Sequence, residues 1–220
     1  MVKAGGRSSG AAEGSAGAPA GPGAASPLSR QSWIDAARAA ATAQGIGAVK
    51  VGRLAEALGV SRGSFYWHFA DRDDLLDALL RDWADETSDP FLRVVGTGEP
   101  IDQIVRYCEV WLFDPTFEPE YDSVIRDWAR TDDRVQDVVR GIDTRRLDVL
   151  VELFGALGYE APEADVRARA LYYHQIGYYS LKIAQSLEER LELFPVYFRV
   201  LIGLPLPPWS RASAATRAGA

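Results

Sequence analysis

The stretch Val51–Phe69, VGRLAEALGVSRGSFYWHF, constrains the fold more than any other part of the chain. Val51, Leu54, Ala55 and Leu58 repeat at helical spacing and predict a short helix over 51–58. Gly59 then falls where the chain needs a positive φ, which glycine adopts without steric cost. Val60 plugs the turn, and Ser61 is a good N-cap for a second helix over 62–68. Phe65 and Phe69 share an inward face, which leaves Arg62, Ser64, Tyr66, Trp67 and His68 mostly outward. Two short helices joined by a Gly-centred turn form a helix-turn-helix, whose second helix enters the major groove of DNA.

The pattern Leu-Ala-x-x-Leu-Gly-Val also fits an ordinary helical hairpin. The outward residues decide between the two readings. An ordinary surface helix carries Glu and Lys, not Tyr-Trp-His beside Ser and Arg. Such groups suit phosphate contacts, thymine-methyl contacts and hydrogen bonds to base edges. Charge placement agrees. The net charge of −7 is unusual for a DNA binder. Residues 30–70, however, hold the bases Arg30, Arg38, Lys50, Arg53 and Arg62 against only Asp35 and Glu56, so the acidic excess lies in the body that follows.

Residues 30–80 resemble the tetracycline-repressor (TetR) family of bacterial transcription regulators. The likeness rests on Leu54-Ala55, Gly59-Val60-Ser61, Gly63, Phe65-Tyr66, His68-Phe69, Asp71-Arg72 and Leu75. The resemblance implies an all-α fold. An N-terminal three-helix helix-turn-helix domain precedes a helical domain that binds a small-molecule effector and makes a homodimer. It places Lys50, Arg53, Ser61, Arg62, Ser64, Tyr66, Trp67, His68 and Arg72 against a double-stranded operator, with Tyr66, His68 and Arg72 on phosphates. Arg62 is suited to pair with guanine. Lys50 stands where the family usually has Thr, and Gly52 where a polar or basic residue is common; Arg53 substitutes for the lost helix-2 contacts.

The rest of the chain reads as helices, about nine in all, with no alternating strand pattern. Helix 1 covers about 29–44, with Trp33, Ile34, Ala37 and Ala41 inward. Helix 4 starts at Asp71, with Asp74 placed for a capping-box arrangement, and is kinked or ended by Pro90. Later helices are expected near 101–113, 120–130, 132–156, 162–187 and 190–203. The organisation expected is a disordered arm at 1–28, the DNA-binding domain at 29–75, the effector and dimerisation domain at 76–208, and a frayed tail at 209–220.

Tyr107, Trp111, Trp128, Tyr172, His174 and Tyr178 are the candidate effector contacts, since they combine large apolar area with polar tips. Aromatics at helical spacing also serve as plain core. Helix 8 carries two apolar faces, one for its own core and one for a partner. Ala170, Tyr173, Ile176, Gly177 and Ile183, with Val196 and Val200 of helix 9, are therefore the candidate dimer contacts.

Several classes are excluded. No apolar run approaches the ~18 residues of a membrane span, and no apolar segment follows Lys3 and Arg7 as a secretory signal requires. One cysteine, Cys108, fits a reducing cytoplasm. Two histidines and no Cys-x-x-Cys argue against a metal site, and no cofactor is expected. The sequence lacks Gly-x-Ser-x-Gly, His-Glu-x-x-His and a phosphate-cradling Gly loop, so an enzyme is disfavoured. The remaining alternative is a ligand-independent regulator of the same fold that acts with a protein partner.

Overall fold

The structure, a computed structural model, describes residues 28–209 apart from the side chains of 86–89. The described residues are all helical, in the order α1 (Arg30–Gln44), a 3-10 turn (Ile46–Ala48), α2 (Val51–Ala57), α3 (Arg62–Phe65), α4 (Arg72–Arg93), α5 (Pro100–Phe113), α6 (Pro119–Ala129), α7 (Asp133–Ala156), α8 (Ala161–Ser180) and α9 (Leu187–Ile202). The arm expected at 1–28 and the tail expected at 209–220 lie outside the described residues, save Leu28 and Trp209.

Local chemistry sets the helix ends. The Ser29 hydroxyl accepts the Ser32 N–H at 3.1 Å to open α1. At α4 the Asp71 carboxylate accepts the Asp74 N–H at 2.9 Å, while the Asp74 carboxylate accepts the Ala70 N–H at 3.0 Å. The reciprocal pair ties the segment after α3 to the start of α4. Proline stands in the first turn of α5, α6 and α8, where its missing N–H has no intrahelical partner to lose.

Two buried clusters hold the chain together. The first gathers Trp33, Ala37 and Ala41 of α1, Leu54 of α2, Phe65 and Phe69, and Leu75, Leu79 and Trp83 of α4. It runs on through Tyr121, Ile125 and Trp128 of α6 to Val135, Val139 and Ile142 of α7. The second is built from Phe91, α5, the C-terminal half of α7, α8 and α9. Helix α7 thus contributes its first half to one core and its second half to the other. The boundary expected at residues 75/76 falls inside α4, and the first core passes straight through it. Arg38 reinforces the join, ion-pairing with Asp82 of α4 and with Glu118 at the start of α6.

Some element bounds differ from those expected. Regular helix in α3 ends at Phe65, and the chain continues as a turn through His68. Helix α4 runs through Pro90 to Arg93. Helix α8 stops at Ser180 rather than near 187, and Lys182 adopts φ 50° in the link to α9. The cause is a competing start signal. Ser186 and Glu189 form a complete capping box, with Ser186 Oγ accepting the Glu189 N–H at 3.2 Å and the Glu189 carboxylate accepting the Ser186 N–H at 2.7 Å. Trp209, assigned to the frayed tail, is docked. Its indole N–H donates to the buried Glu109 carboxylate at 2.8 Å, and its ring packs against Phe194. No helix among the described residues is long and apolar enough to cross a membrane.

Candidate functional site

The segment 62–68 is fixed from below and open above. Phe65 and Phe69 are buried, stacked at 5.3 Å between ring centroids, and Phe65 meets Trp33 edge-on at 5.3 Å. Gly59 takes φ +68°, as its place in the turn requires. With these anchors set, Tyr66 is 63% and Trp67 88% exposed. Lys50, Arg53, Ser61 and Arg62 are exposed, and Ser64 and His68 are half-buried. A tryptophan left almost wholly in water has no folding rationale, because burying it removes a large apolar area from solvent.

Three residues of this face carry structural detail that the sequence did not show. The Arg62 side chain folds back over α2. A Cβ built on Gly52 would sit 2.7 Å from an Arg62 terminal nitrogen. Ser61 has N-cap backbone angles but makes no side-chain capping bond, contrary to the expectation from its type. Arg72, expected on a phosphate, has its guanidinium turned to the protein. Nε donates to the Val49 carbonyl at 2.6 Å and a terminal nitrogen to the Ile46 carbonyl at 3.2 Å. It thereby pins the turn that leads into α2.

The six candidate effector residues do not form one site. Trp128 is buried in the first core, while Tyr107, Trp111 and Tyr172 are buried in the second. Tyr107 and Trp111 meet edge-on at 5.1 Å, and both pack on Phe91. The Tyr172 hydroxyl donates to Asp143 at 2.7 Å and accepts from buried Arg146 at 3.3 Å. Asp143 in turn receives two N–H bonds from Arg126, at 2.9 and 2.8 Å, and Arg126 also binds Asp122 at 2.7 Å. Burial pushes the Tyr172 phenol up to about 12 despite the opposing Arg146 and Arg126 charges, and burial likewise raises Tyr107 well above the ordinary tyrosine value. These rings are packed core.

His174 and Tyr178 belong elsewhere. Together with Cys108, Leu112, Gln175, Gln185, Arg190, Phe194 and Tyr197 they line a chamber of about 40 Å³ between α5, α8 and α9. Tyr178, Gln185 and Arg190 also line a larger cleft of about 560 Å³, whose other walls are Thr42 of α1, Pro119, Glu120, Ser123, Val124 and Asp127 of α6, Tyr179 of α8, and Lys182 and Ile183 of the α8–α9 link. The cleft therefore touches α1, α6 and the C-terminal pair of helices at once. Sequence reasoning missed Arg190, Gln175 and Gln185, because polar residues on an amphipathic helix carry no signal until the link at 181–186 folds beside them. Burial pushes the Cys108 thiol up to about 12, which leaves it protonated and inert. Among the described residues no group of three or more metal-ligating side chains converges.

Of the candidate dimer residues, Ala170, Tyr173, Val196 and Val200 are exposed along one face of α8 and α9, with Val166 and Leu193 beside them. Gly177 is half-buried, with nothing within 4 Å of a Cβ built on it. Ile183 is exposed but sits in the link beyond α8, on the rim of the cleft. Ile176 turns the other way, half-buried against the second core and beside Arg126, Val139 and Asp143.

Residues 34–79 match the family described as bacterial regulatory proteins, tetR family. The chain is 40% identical over 50 residues to the HTH-type transcriptional regulator AcrR of Shigella flexneri, a match covering 23% of each protein. It is 35% identical over 75 residues to TtgR of Pseudomonas putida, covering 34% of this chain and 35% of that one. The matched segments thus span about a third or less of these relatives' lengths. A transcriptional regulator of Rhodococcus sp. shares the fold, with a TM-score of 0.60 and 21% identity over 81% of this chain and 96% of that one. Residues 34–79 thus carry the likeness to TetR-family bacterial regulators, and beyond them the likeness to solved regulators is one of fold.

Proposed function

We propose that this regulator binds operator DNA as a homodimer through α2 and the segment 62–68, and that a small molecule bound beneath α6 releases it, making it a ligand-responsive repressor. The exposure of Tyr66 and Trp67 over a rigid Phe65–Phe69 base supports the DNA-binding part. The observation that carries the ligand response is the cleft reaching from Thr42 of α1 across α6 to Arg190 of α9. Helix α6 is held to α1 by Arg38–Glu118 and to α4 by the Tyr121 hydroxyl, which donates to the Leu79 carbonyl at 2.9 Å. A ligand that displaces α6 therefore acts on α1 and α4 through contacts with two discrete ends. It shifts the equilibrium only by its differential affinity for the two states, typically about 1–3 kcal/mol of coupling.

The test starts from an operator selected out of random DNA by the purified protein. Tyr66→Ala is expected to weaken every operator, and Arg62→Ala to relax base preference as well. Variants that bind like the parent would remove the recognition assignment. For the ligand response, an effector found by thermal-shift screening must bind less tightly when operator is present, by the same factor with which it weakens operator binding. The packing of Tyr107, Trp111 and Tyr172 into solid core favours a second reading, a regulator of the same fold controlled by a protein partner. Operator affinity unchanged by every ligand of the cleft would select it.

A further inference from the structure

The small chamber holds an unusual concentration of unpaired polar atoms. His174 Nδ1, Gln175 Oε1 and the Tyr178 hydroxyl are all inaccessible to solvent and make no hydrogen bond, and all three residues line the same 40 Å³ space. A buried polar group without a partner is unfavourable, so three in residues beside one chamber would gain from a polar occupant that small side-chain rotations let them reach. Each can act as a donor. Tyrosine carries an O–H, the glutamine amide presents its NH₂ when rotated, and imidazole carries its proton on Nδ1 in one tautomer.

A cation stands at the junction of chamber and cleft. One Arg190 nitrogen donates to the Tyr179 hydroxyl at 3.1 Å, and its guanidinium lies over the Tyr178 ring at 4.6 Å and the Tyr179 ring at 5.3 Å. Tyr179 is itself anchored, donating to the Trp111 carbonyl at 2.6 Å. Arg190 makes no ion pair with any described carboxylate. It is therefore held in place with donors to spare, which is how arginine recognises planar anions. Burial and Arg190 both lower the His174 pKa, so the imidazole is neutral and adds no competing charge.

We infer that chamber and cleft together bind an amphipathic monocarboxylic acid, its carboxylate beside Arg190 and Tyr178 and its apolar body along Pro119, Val124 and Ile183. The chamber admits a carboxylate-sized head but not a ring. Glu120 and Asp127 also line the cleft, so a second negative charge within it is disfavoured, which selects against dicarboxylates. Lys182 on the link adds positive charge at the rim. This inference rests on the ligand-responsive reading above and names the chemistry of its ligand.

The experiment is calorimetric titration of the full-length protein with octanoate and 3-phenylpropanoate, each against its primary amide and against octyl phosphate. At least one acid is expected to bind about tenfold more tightly than its amide and than the phosphate. Arg190→Gln should lose about the same factor, Arg190→Lys should recover part of it, and Tyr178→Phe should weaken the acid several-fold. Circular dichroism checks that each variant is folded. If Arg190→Gln does not fold, the acid–amide comparison on the parent and Tyr178→Phe decide. Equal binding of acid and amide, no binding of either acid at millimolar concentration, preference for the phosphate, or a folded Arg190→Gln that binds like the parent would each overturn the inference. Operator binding is followed in parallel. An uncharged effector that releases operator and ignores Arg190→Gln would defeat the carboxylate and leave the sensor standing. An acid bound through Arg190 without effect on operator affinity would defeat the sensor and leave the site.

Discussion

Arg62 of the recognition segment rests on Gly52 of α2, so closely that any side chain at 52 would meet its guanidinium. The glycine leaves an open seat, and the seat sets the direction in which Arg62 leaves the helix. Gly52→Ala puts a Cβ within 2.7 Å of a flexible side-chain tip, which can move aside. Stability should therefore rise by about 0.5–1 kcal/mol, the ordinary gain for replacing glycine inside a helix. With Arg62 proposed to read a base, base preference at that position should change, because the guanidinium is re-aimed. Thermal melts and operator selection on both proteins test this. An unchanged preference in a folded Gly52→Ala protein would show that the seat does not orient Arg62.

Arg72 offers a sharper distinction between structure and DNA contact. Its bonds to the Val49 and Ile46 carbonyls close the turn that aims α2. Hydrogen bonds from a charged donor are each worth roughly 1.5–3 kcal/mol, so Arg72→Gln should lower stability by about 2 kcal/mol. Arg72→Lys should lose much of the same stability, since one ammonium does not reproduce the planar fork. A residue acting only on phosphate would behave differently. Lysine would then keep both stability and affinity, and glutamine would reduce the salt dependence of operator binding by about one ion. Chemical denaturation and salt-dependent anisotropy separate the two outcomes.

The helix-turn-helix was legible in the sequence because each of its signals is local. Gly59 needs its positive φ, Phe65 and Phe69 mark one helix face, and Asp71 with Asp74 caps the next helix. The candidate effector residues were less legible because burial depends on which helices meet. Trp128 looks the same in sequence as Trp111, yet it packs beneath α1 and α4 in the other core. The end of α8 was lost to a signal that was present but outweighed. The Ser186–Glu189 box starts α9 inside an apolar periodicity that seemed to continue. Arg190 and Gln175 gain their meaning only from the cavity that this break creates beside them.

The polar cluster in the second core should behave as a unit. Asp143 takes the Tyr172 hydroxyl and two Arg126 N–H groups, and the same hydroxyl receives Arg146. Tyr172→Phe keeps the ring and removes the hydroxyl, at an expected loss of about 1–2 kcal/mol. Asp143→Asn leaves Arg126 with Asp122 as its carboxylate and should lose about 2 kcal/mol, short of the roughly 3–5 kcal/mol of a fully orphaned buried charge. The double variant should lose less than the two losses added, since Asp143→Asn weakens the bond that Tyr172→Phe removes. Urea unfolding of the four proteins measures the coupling. Strict additivity would mean that the hydroxyl–carboxylate bond contributes nothing to stability.

The exposed face of α8 and α9 sets the last prediction. Val166, Ala170 and Tyr173 on α8 run beside Leu193, Val196 and Val200 on α9, and each of these side chains is exposed in the single chain. Apolar side chains left exposed at helical spacing on both helices, with the Arg169–Tyr173 bond among them, make this face the candidate interface. A second copy joined about a two-fold axis would cover it isologously and space two recognition segments for paired half-sites. Tyr173→Glu and Val196→Glu place a charge on the face without entering either core. They should give folded monomers by light scattering, with melting little changed at high protein concentration and operator affinity down by about two orders of magnitude or more. Ile176→Glu is the contrast. Ile176 packs toward the second core beside Val139, so a carboxylate there should lower the melting temperature before it alters association. A parent protein that is monomeric at micromolar concentration would refute the interface. So would a Tyr173→Glu Val196→Glu double variant that stays dimeric.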